Sequence, residues 1–442
     1  MQVVIVGGGR VGLPTALSFA RRGHRTVVHD TDAERIQELA AGRIPFFEPG
    51  LDDLVAEQVA SGRLSGTIDP AEAYRGAQVA FICVDTPMGA DGTADLRALL
   101  KAAETIARTG EDGLVVTVKS TVPVGTGARL TALFAERGGS AVHVASNPEF
   151  LQEGLALEEA LAPTRILVGS DAARAREVLR ELYAPFVADG AAWVETDLAT
   201  AELTKYASNA FLAMKISYAN ALAEICDTIG ADVVTLTQTL GLDPRIGAGH
   251  LRPGIGYGGG CLSKDLSALR TTLDGLGIRF GLLDEVEAIN ERALDGVLEK
   301  VRTGLGGLPG RRVTLLGLAF KPETDDVRMA PSLRLAARLL DEGATVIGYD
   351  PRAGEVAAKE LSALEVDDDP YRALEDAECA VVCTEWDQIR ALDLERARAA
   401  MARPFVVDGR NAFDPATMAA AGFEYVATGR PALGRSEERI LT

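Results

Sequence analysis

Residues 253–265 read PGIGYGGGCLSKD, in which five glycines lead into Cys261 and a Lys264–Asp265 pair closes the stretch. No apolar periodicity marks a core for this thiol, and the neighbouring Lys264 favours a thiolate electrostatically. A thiolate has a particular use beside a hydride acceptor. Oxidising an alcohol to an aldehyde needs no covalent step, but oxidising the aldehyde further needs a hydride on the same carbon. Addition of the thiolate gives a thiohemiacetal, loss of hydride gives a thioester, and water then releases an acid. This chemistry also calls for oxyanion donors, a base and a carboxylate to order the water. The run TAELTKYASNAFLAMKIS offers Lys205 and Asn209, spaced i and i+4 on one helix face. Asp265 follows the cysteine by four, and NPEFLQEG contributes Glu149 and Glu153. Plainer readings stand beside these: Lys205 and Asn209 as a solvated helix face, and Cys261 as a loop residue without a catalytic task. Cys83, Cys226, Cys379 and Cys383 lie in apolar strand or helix patterns and read as small buried residues.

The hydride acceptor has its own signature. Gly7-Gly8-Gly9-Arg10-Val11-Gly12 satisfies G-x-G-x-x-G directly after a strand and before a helix. There Gly7, Gly9 and Gly12 allow a tight turn, close approach to a pyrophosphate, and packing of helix on strand. Asp30 lies 23 positions after Gly7, at the tip of the next strand. A carboxylate there accepts hydrogen bonds from a ribose diol and repels a 2′-phosphate, which favours NAD over NADP.

The elements that position these groups follow from periodicity. Residues 1–30 predict a strand (Val3 to Val6), a helix (Pro14 to Arg22) and a second strand (Thr26 to His29). QVAFICVDTP, LVVTVKSTVP and AVHVASNPEF read as strands buried on both faces, so the turns at Thr86, Thr121 and Glu149 fall at their carboxyl ends, where ligands gather. Residues 200–230 predict one long helix and 282–303 another, ahead of the break GLGGLPG. After it the opening grammar repeats: FARRGHRTVVHDTD is echoed by LLDEGATVIGYDPR, without the glycine fingerprint. The expected fold is α/β: two Rossmann-like doubly wound domains joined by a long central helix and a helical middle domain. The boundaries are an NAD-binding domain at 1–200, a helical domain with the cysteine loop and dimer interface at 201–305, and a second Rossmann-like domain at 306–442.

A net charge of −19 argues against nucleic acid or an anionic membrane as partner, so an anionic ligand must be held by local cations. Five cysteines without a C-x-x-C pair indicate neither a disulfide framework nor a zinc site, and no metal is expected. The opening apolar run is too short for a signal or membrane span, which reads as a cytoplasmic protein with free thiols.

The chain resembles the UDP-glucose/GDP-mannose dehydrogenase family from residue 1 to about 415, through GGGRVGLPTA, GRIPFFEPGL, STVPVGT, NPEFLQEG, ELTKYASNAFLAMKIS, PGIGYGGGCLSKD, GLAFKPETDDVR and VVDGRN. The resemblance implies oxidation of the C6 hydroxyl of a nucleotide sugar to a carboxylate with two NAD. Cys261 falls on the family nucleophile, Lys205 and Asn209 on the oxyanion stabilisers, Asp265 and Thr121 on the groups that order water. Glu149 takes the position assigned to thioester hydrolysis, and Glu153 one lining nicotinamide and sugar. Val11, Asp30, Arg35, Thr86, Thr121, Glu153, Lys264 and Arg328 are implied at the NAD site, which points Lys264 toward the cofactor instead of the thiol. Glu149, Phe150, Leu151, Glu153, Lys205, Asn209, Gly254, Gly258, Phe320, Lys321 and Arg410 are implied at the sugar-nucleotide site. Arg245 matches an arginine that reaches the diphosphate of a neighbouring subunit, which implies a homodimer or larger homo-oligomer. UDP-glucose is the favoured substrate; GDP-mannose, a UDP-N-acetylhexosamine and a one-step hydroxy-acid-type reaction are the alternatives. Two positions depart from the family: Ser263 stands where proline is usual, and Met329-Ala330 replace polar residues before Pro331. Tyr257, His250 and Arg252 read equally as functional groups or as loop packing.

Overall fold

A computed structural model describes residues 1–136 and 141–431; the last residues of the expected 306–442 domain lie outside it. Among the described residues the strands form two main sheets, each in its own compact unit. One unit is Met1–Ser208 with Lys264–Ile278; the other is Asn209–Ser263 with Arg279–Thr442.

The first sheet comprises β1 (Gln2–Val6), β2 (Arg25–His29), β3 (Leu64–Thr67), β4 (Val79–Ile82), β5 (Val115–Val118), β6 (His143–Ser146), β7 (Arg165–Gly169) and β8 (Ala192–Thr196), in the order β3-β2-β1-β4-β5-β6-β7-β8. The order reverses at β1, which pairs with β2 on one side and β4 on the other, and a switch of this kind opens a crevice at the carboxyl ends. β4 and β5 are buried at every residue, as unbroken apolar runs require when helices cover both faces. The helix Gly12–Arg21 lays Leu13, Leu17 and Phe19 into this core, where Phe19 stacks on Phe81 at 5.1 Å and meets Tyr183 and Phe186 edge-on. One feature departs from an all-parallel sheet: β6 meets β7 antiparallel through Ser146 and Gly169.

The second sheet comprises β9 (Arg312–Leu316), β10 (Thr345–Tyr349), β11 (Glu365–Val366), β12 (Cys379–Val382), β13 (Phe405–Asp408) and β14 (Glu424–Ala427), all parallel, in the order β11-β10-β9-β12-β13-β14. It repeats the switch at its own first strand. Asp350, at the tip of β10, accepts from the backbone N–H groups of Leu318, Ala319, Arg352 and Ala353 and from the indole of the sealed Trp386. The helix Pro331–Asp341 starts on its proline with Ala330 as an N-cap that offers no side-chain bond, in line with the departure noted in the sequence.

The two long helices are Leu198–Ile229 and Gly281–Leu305. Lys264 and Asp265 do not belong to a loop; they lie in the first turn of the helix Leu262–Gly275. Among the described residues no helix is long and apolar enough to cross a membrane.

Candidate active site

In the first unit the β1 turn has the geometry of a phosphate cradle. Gly7 takes φ 101°, and a methyl at Gly12 would lie 1.8 Å from the Gly7 carbonyl oxygen, so neither position tolerates a side chain. A methyl at Gly9 meets no protein atom within 4 Å: the cradle is open on that side, as a bound pyrophosphate requires. Val11 precedes the helix. The Asp30 carboxylate accepts from Gly8 N at 2.8 Å, from Arg35 Nη1 at 2.8 Å and from Asp32 N at 3.0 Å. Burial pushes this carboxyl up, but those donors outweigh it and hold it below its usual range. It therefore remains an acceptor for a ribose diol at neutral pH. The loops after β4 and β5 are joined by Thr86, whose hydroxyl donates to the Thr121 carbonyl at 2.8 Å.

Glu149 and Lys205 form a buried ion pair, Nζ to Oε1 2.9 Å, with side chains 8% and 5% exposed. The backbone N–H of Leu151 donates to the other carboxylate oxygen. Phe150 lies beside the pair, with Lys205 Nζ 5.6 Å and Arg165 Cζ 3.9 Å from its ring centre. Burial raises the Glu149 carboxyl, and Lys205, the Leu151 N–H and Lys119 together bring it below its ordinary value. Glu153 faces Arg10 at 3.8 Å. Asp265, almost fully buried, receives the Lys264 ammonium at 2.5 Å.

Lys119 escaped the sequence reading. Its buried ammonium donates to Asn147 Oδ1 at 3.0 Å, the oxygen that also accepts from Tyr183, while Asn147 Nδ2 donates to Leu167. Burial depresses its basicity. This network anchors the NPEF turn that carries Glu149. The only signal was a lysine at the tip of the apolar run LVVTVKSTVP.

In the second unit the cysteine loop is packed, where its composition suggests freedom. Gly254 lies against Gly409 and Arg410, Gly258 against Met329 and Pro331, Gly259 against the Phe320 ring and Gly260 against the Arg328 guanidinium; a methyl on any of these would fall 3.0 Å or less from a neighbouring atom. The loop is buried from Pro253 to Gly259, whereas Cys261 is exposed and the other four cysteines are buried. Burial pushes the Cys83 and Cys383 thiols up to about 12. Arg410 donates to the carbonyls of Cys383 and Phe320, and Lys321 Nζ lies 5.9 Å from the Phe320 ring, so Gly254, Gly258, Phe320, Lys321 and Arg410 are gathered in one region. Arg328 pairs with Asp326, and the exposed Arg245 with Asp243. Asn209 is buried one helical turn after Lys205. Tyr257 is a buried loop residue; His250 takes φ 62°, and burial, then Lys215, Lys321 and Arg252, lower its basicity. Among the described residues no group of three His, Cys, Asp or Glu side chains is placed to hold a metal ion.

The switch-point sheet, open glycine cradle and acidic strand tip define the first unit as a dinucleotide-binding α/β domain of the dehydrogenase class. Models of the UDP-glucose/GDP-mannose dehydrogenase family match most of the chain: its NAD binding domain at 1–187, its central domain at 199–292 and its UDP binding domain at 314–415. The UDP-glucose 6-dehydrogenase of Rhizobium meliloti (strain 1021) is 43% identical over 98% of this chain and 100% of its own. A UDP-glucose dehydrogenase structure from Pyrobaculum islandicum superposes with TM-score 0.89 at 37% identity, covering 97% and 98% of the two chains. The UDP-D-ManNAc dehydrogenase from Pyrococcus horikoshii gives 0.85 at 29% identity, covering 97% and 99%. The chain belongs to the UDP-glucose/GDP-mannose dehydrogenase family. It is an NAD-dependent oxidoreductase.

Proposed function

We propose that the chain oxidises the C6 hydroxyl of UDP-glucose to the carboxylate of UDP-glucuronate in two steps, the second passing through a thioester on Cys261. The observation that carries this reading is the exposure of that one thiol at the end of an otherwise buried loop. Bound NAD supplies the hydride acceptor for each two-electron oxidation. The Cys261 thiolate adds to the C6 aldehyde; the thiohemiacetal loses hydride and a proton to give the thioester; water cleaves the C–S bond and returns the thiol.

Lys205 and Asn209 donate to the C6 oxyanion, while Thr121 and Asp265 order water. Glu149, ionised beside Lys205, assists hydrolysis, and Glu153 lines the nicotinamide and sugar. Gly7, Gly9, Val11, Gly12, Asp30, Arg35, Thr86, Lys264 and Arg328 serve the cofactor. Phe150, Leu151, Gly254, Gly258, Phe320, Lys321 and Arg410 receive the sugar nucleotide, with Lys321 and Arg410 as local cations for its diphosphate. The reading places the enzyme in the cytoplasm, where Cys261 stays reduced. A second copy of the chain completes it: exposed Phe211, Tyr218 and Ile225 recur every seven residues along Leu198–Ile229, a spacing that presents one apolar face, and Arg245 reaches the neighbour's diphosphate.

Counting NADH against UDP-glucose consumed tests the chemistry. Two equivalents and a glucuronate product are expected, and Cys261→Ser should lose acid formation. One equivalent from the wild type, or acid from Cys261→Ser at the wild-type rate, would sink the thioester route. The same count across GDP-mannose and UDP-N-acetylhexosamines tests the choice of sugar, which rests on a few pocket contacts.

A further inference from the structure

The cysteine loop is stitched down residue by residue. Gly254 N donates to the side chain of Asn220 at 2.7 Å, Ile255 N to the Gly409 carbonyl at 2.7 Å, and Gly259 N to the Arg328 carbonyl at 3.0 Å. Each of these ties uses one bond. The tie at Tyr257 uses two: Asn290 Oδ1 accepts from Tyr257 N at 2.7 Å, and Asn290 Nδ2 donates to the Tyr257 carbonyl at 3.2 Å. A planar amide bonded at both ends fixes the orientation as well as the position of its partner. Asn290 sits in the helix Gly281–Leu305 with only 6% of its surface exposed, so solvent competes little for these bonds. The residue before Tyr257 is shaped to this amide: Gly256 takes φ 103°, and a methyl there would lie 2.8 Å from Asn290 Oδ1.

We propose that Asn290 is a positioning residue for the Cys261 thiol, its side-chain amide setting the Tyr257 peptide planes from which the exposed end of the loop is aimed. The inference rests on Cys261 as nucleophile. Three residues separate Tyr257 from Cys261, and these, Gly258, Gly259 and Gly260, are wedged against Met329, Phe320 and Arg328. A change of orientation at Tyr257 therefore passes through packed backbone to the thiol and is not absorbed on the way. Thiol addition to an aldehyde depends steeply on that aim, since a misplacement of about 1 Å costs roughly 100-fold in rate.

Two variants separate aim from folding. Asn290→Ala removes both bonds. Asn290→Asp keeps the acceptor for Tyr257 N but sets a second oxygen against the Tyr257 carbonyl, and only a protonated carboxyl restores the donor. With UDP-glucose and NAD, Asn290→Ala should lower kcat roughly 10- to 100-fold with KM for UDP-glucose within about threefold of wild type, and yield shifts toward one NADH per turnover. Alkylation by iodoacetamide, counted per chain by mass spectrometry, reads Cys261 directly in the native protein because the other four thiols are buried; its rate should change in Asn290→Ala. For Asn290→Asp, kcat relative to wild type should rise as pH falls and the introduced carboxyl takes up its proton. Wild-type kcat and alkylation rate in Asn290→Ala would overturn the inference. If that variant does not fold, a flat relative pH profile for Asn290→Asp would overturn it in the same way. Failure of the underlying reading looks different: Cys261→Ser would still form two NADH, whatever the Asn290 variants do.

Discussion

The two sheets open with the same strand, helix and acid-tipped strand, yet they spend the acid differently. Five residues connect β1 to its helix; fourteen, from Gly317 to Ala330, connect β9 to the helix Pro331–Asp341. In the first unit Asp30 takes one N–H from the short turn, one from its own loop and one arginine. In the second, Asp350 is surrounded by four backbone N–H groups and an indole. A carboxylate has roughly four lone-pair sites. Asp30 retains capacity for a ligand, whereas Asp350 is consumed in holding a long loop. Repetition of a fold pattern thus does not repeat its hydrogen bonding: both acids are buried, but the short connection leaves Asp30 acceptor capacity that Asp350 gives to the long loop and its surroundings.

The largest effects are expected at the glycines. Gly12→Ala forces a methyl into the Gly7 carbonyl and should abolish NAD binding while lowering Tm; Gly317→Ala, 2.4 Å from Thr384 Cβ at φ 93°, should lower Tm with KM for NAD unchanged. Gly9→Ala fills only open space, so its Tm should stay at the wild-type value while KM for NAD rises about tenfold or more, seen by thermal melts beside initial rates. The acids come next. Asp350→Ala orphans buried donors, each worth about 1–3 kcal/mol, and should depress Tm at unchanged KM for NAD. Asp30→Ala should instead raise KM for NAD and erode the preference over NADP. If both variants raised KM alike, the division of labour would be wrong.

The smallest effect is in pH. Asp30 is held below the ordinary carboxylate range, so its contribution to stability is present above its unfolded value and lost as pH falls through the lowered one. Asp408, at the tip of β13, runs the other way: burial raises it despite bonds from Tyr425 and the N–H groups of Arg410, Ala412 and Phe413. Its contribution is present in acid and lost as pH rises through the raised value. In melts across pH 3–7, read as slope and not as level, Asp30→Asn should flatten the acid-side loss and Asp408→Asn the loss on rising pH. Each change amounts to a few degrees at about 2–4 °C per kcal/mol. Identical slopes in the two variants would contradict these signs.

Strands β1, β2, β4, β5 and β6 and both long helices were legible because period and burial coincide along the chain, whereas β3, the short polar run LSGT, carries no such signal. The cradle was legible because Gly7, Gly9 and Gly12 fall within six consecutive residues between a strand and a helix. What stayed hidden is non-local. The antiparallel meeting of Ser146 with Gly169 follows from how one connection packs, which no run of residues encodes. Lys119 finds Asn147 and Tyr183 only after three segments converge. The packing of the cysteine loop is non-local too: Gly256, Gly259 and Gly260 are held to glycine by Asn290, Phe320 and Arg328, none of them near in sequence.

The sealed indole beside Asp350 has a spectroscopic consequence. The chain holds two tryptophans, one to each unit: Trp193 in β8, and Trp386 with 1% of its surface exposed. Trp193 stands at a partly solvated edge with Arg180 over its ring at 5.5 Å, so its emission lies to the red, while Trp386 emits from a dry site to the blue. Intrinsic fluorescence is therefore already two-coloured. Trp193→Phe leaves Trp386 as the one indole, so the unfolding of the second unit can be followed by itself without any attached dye.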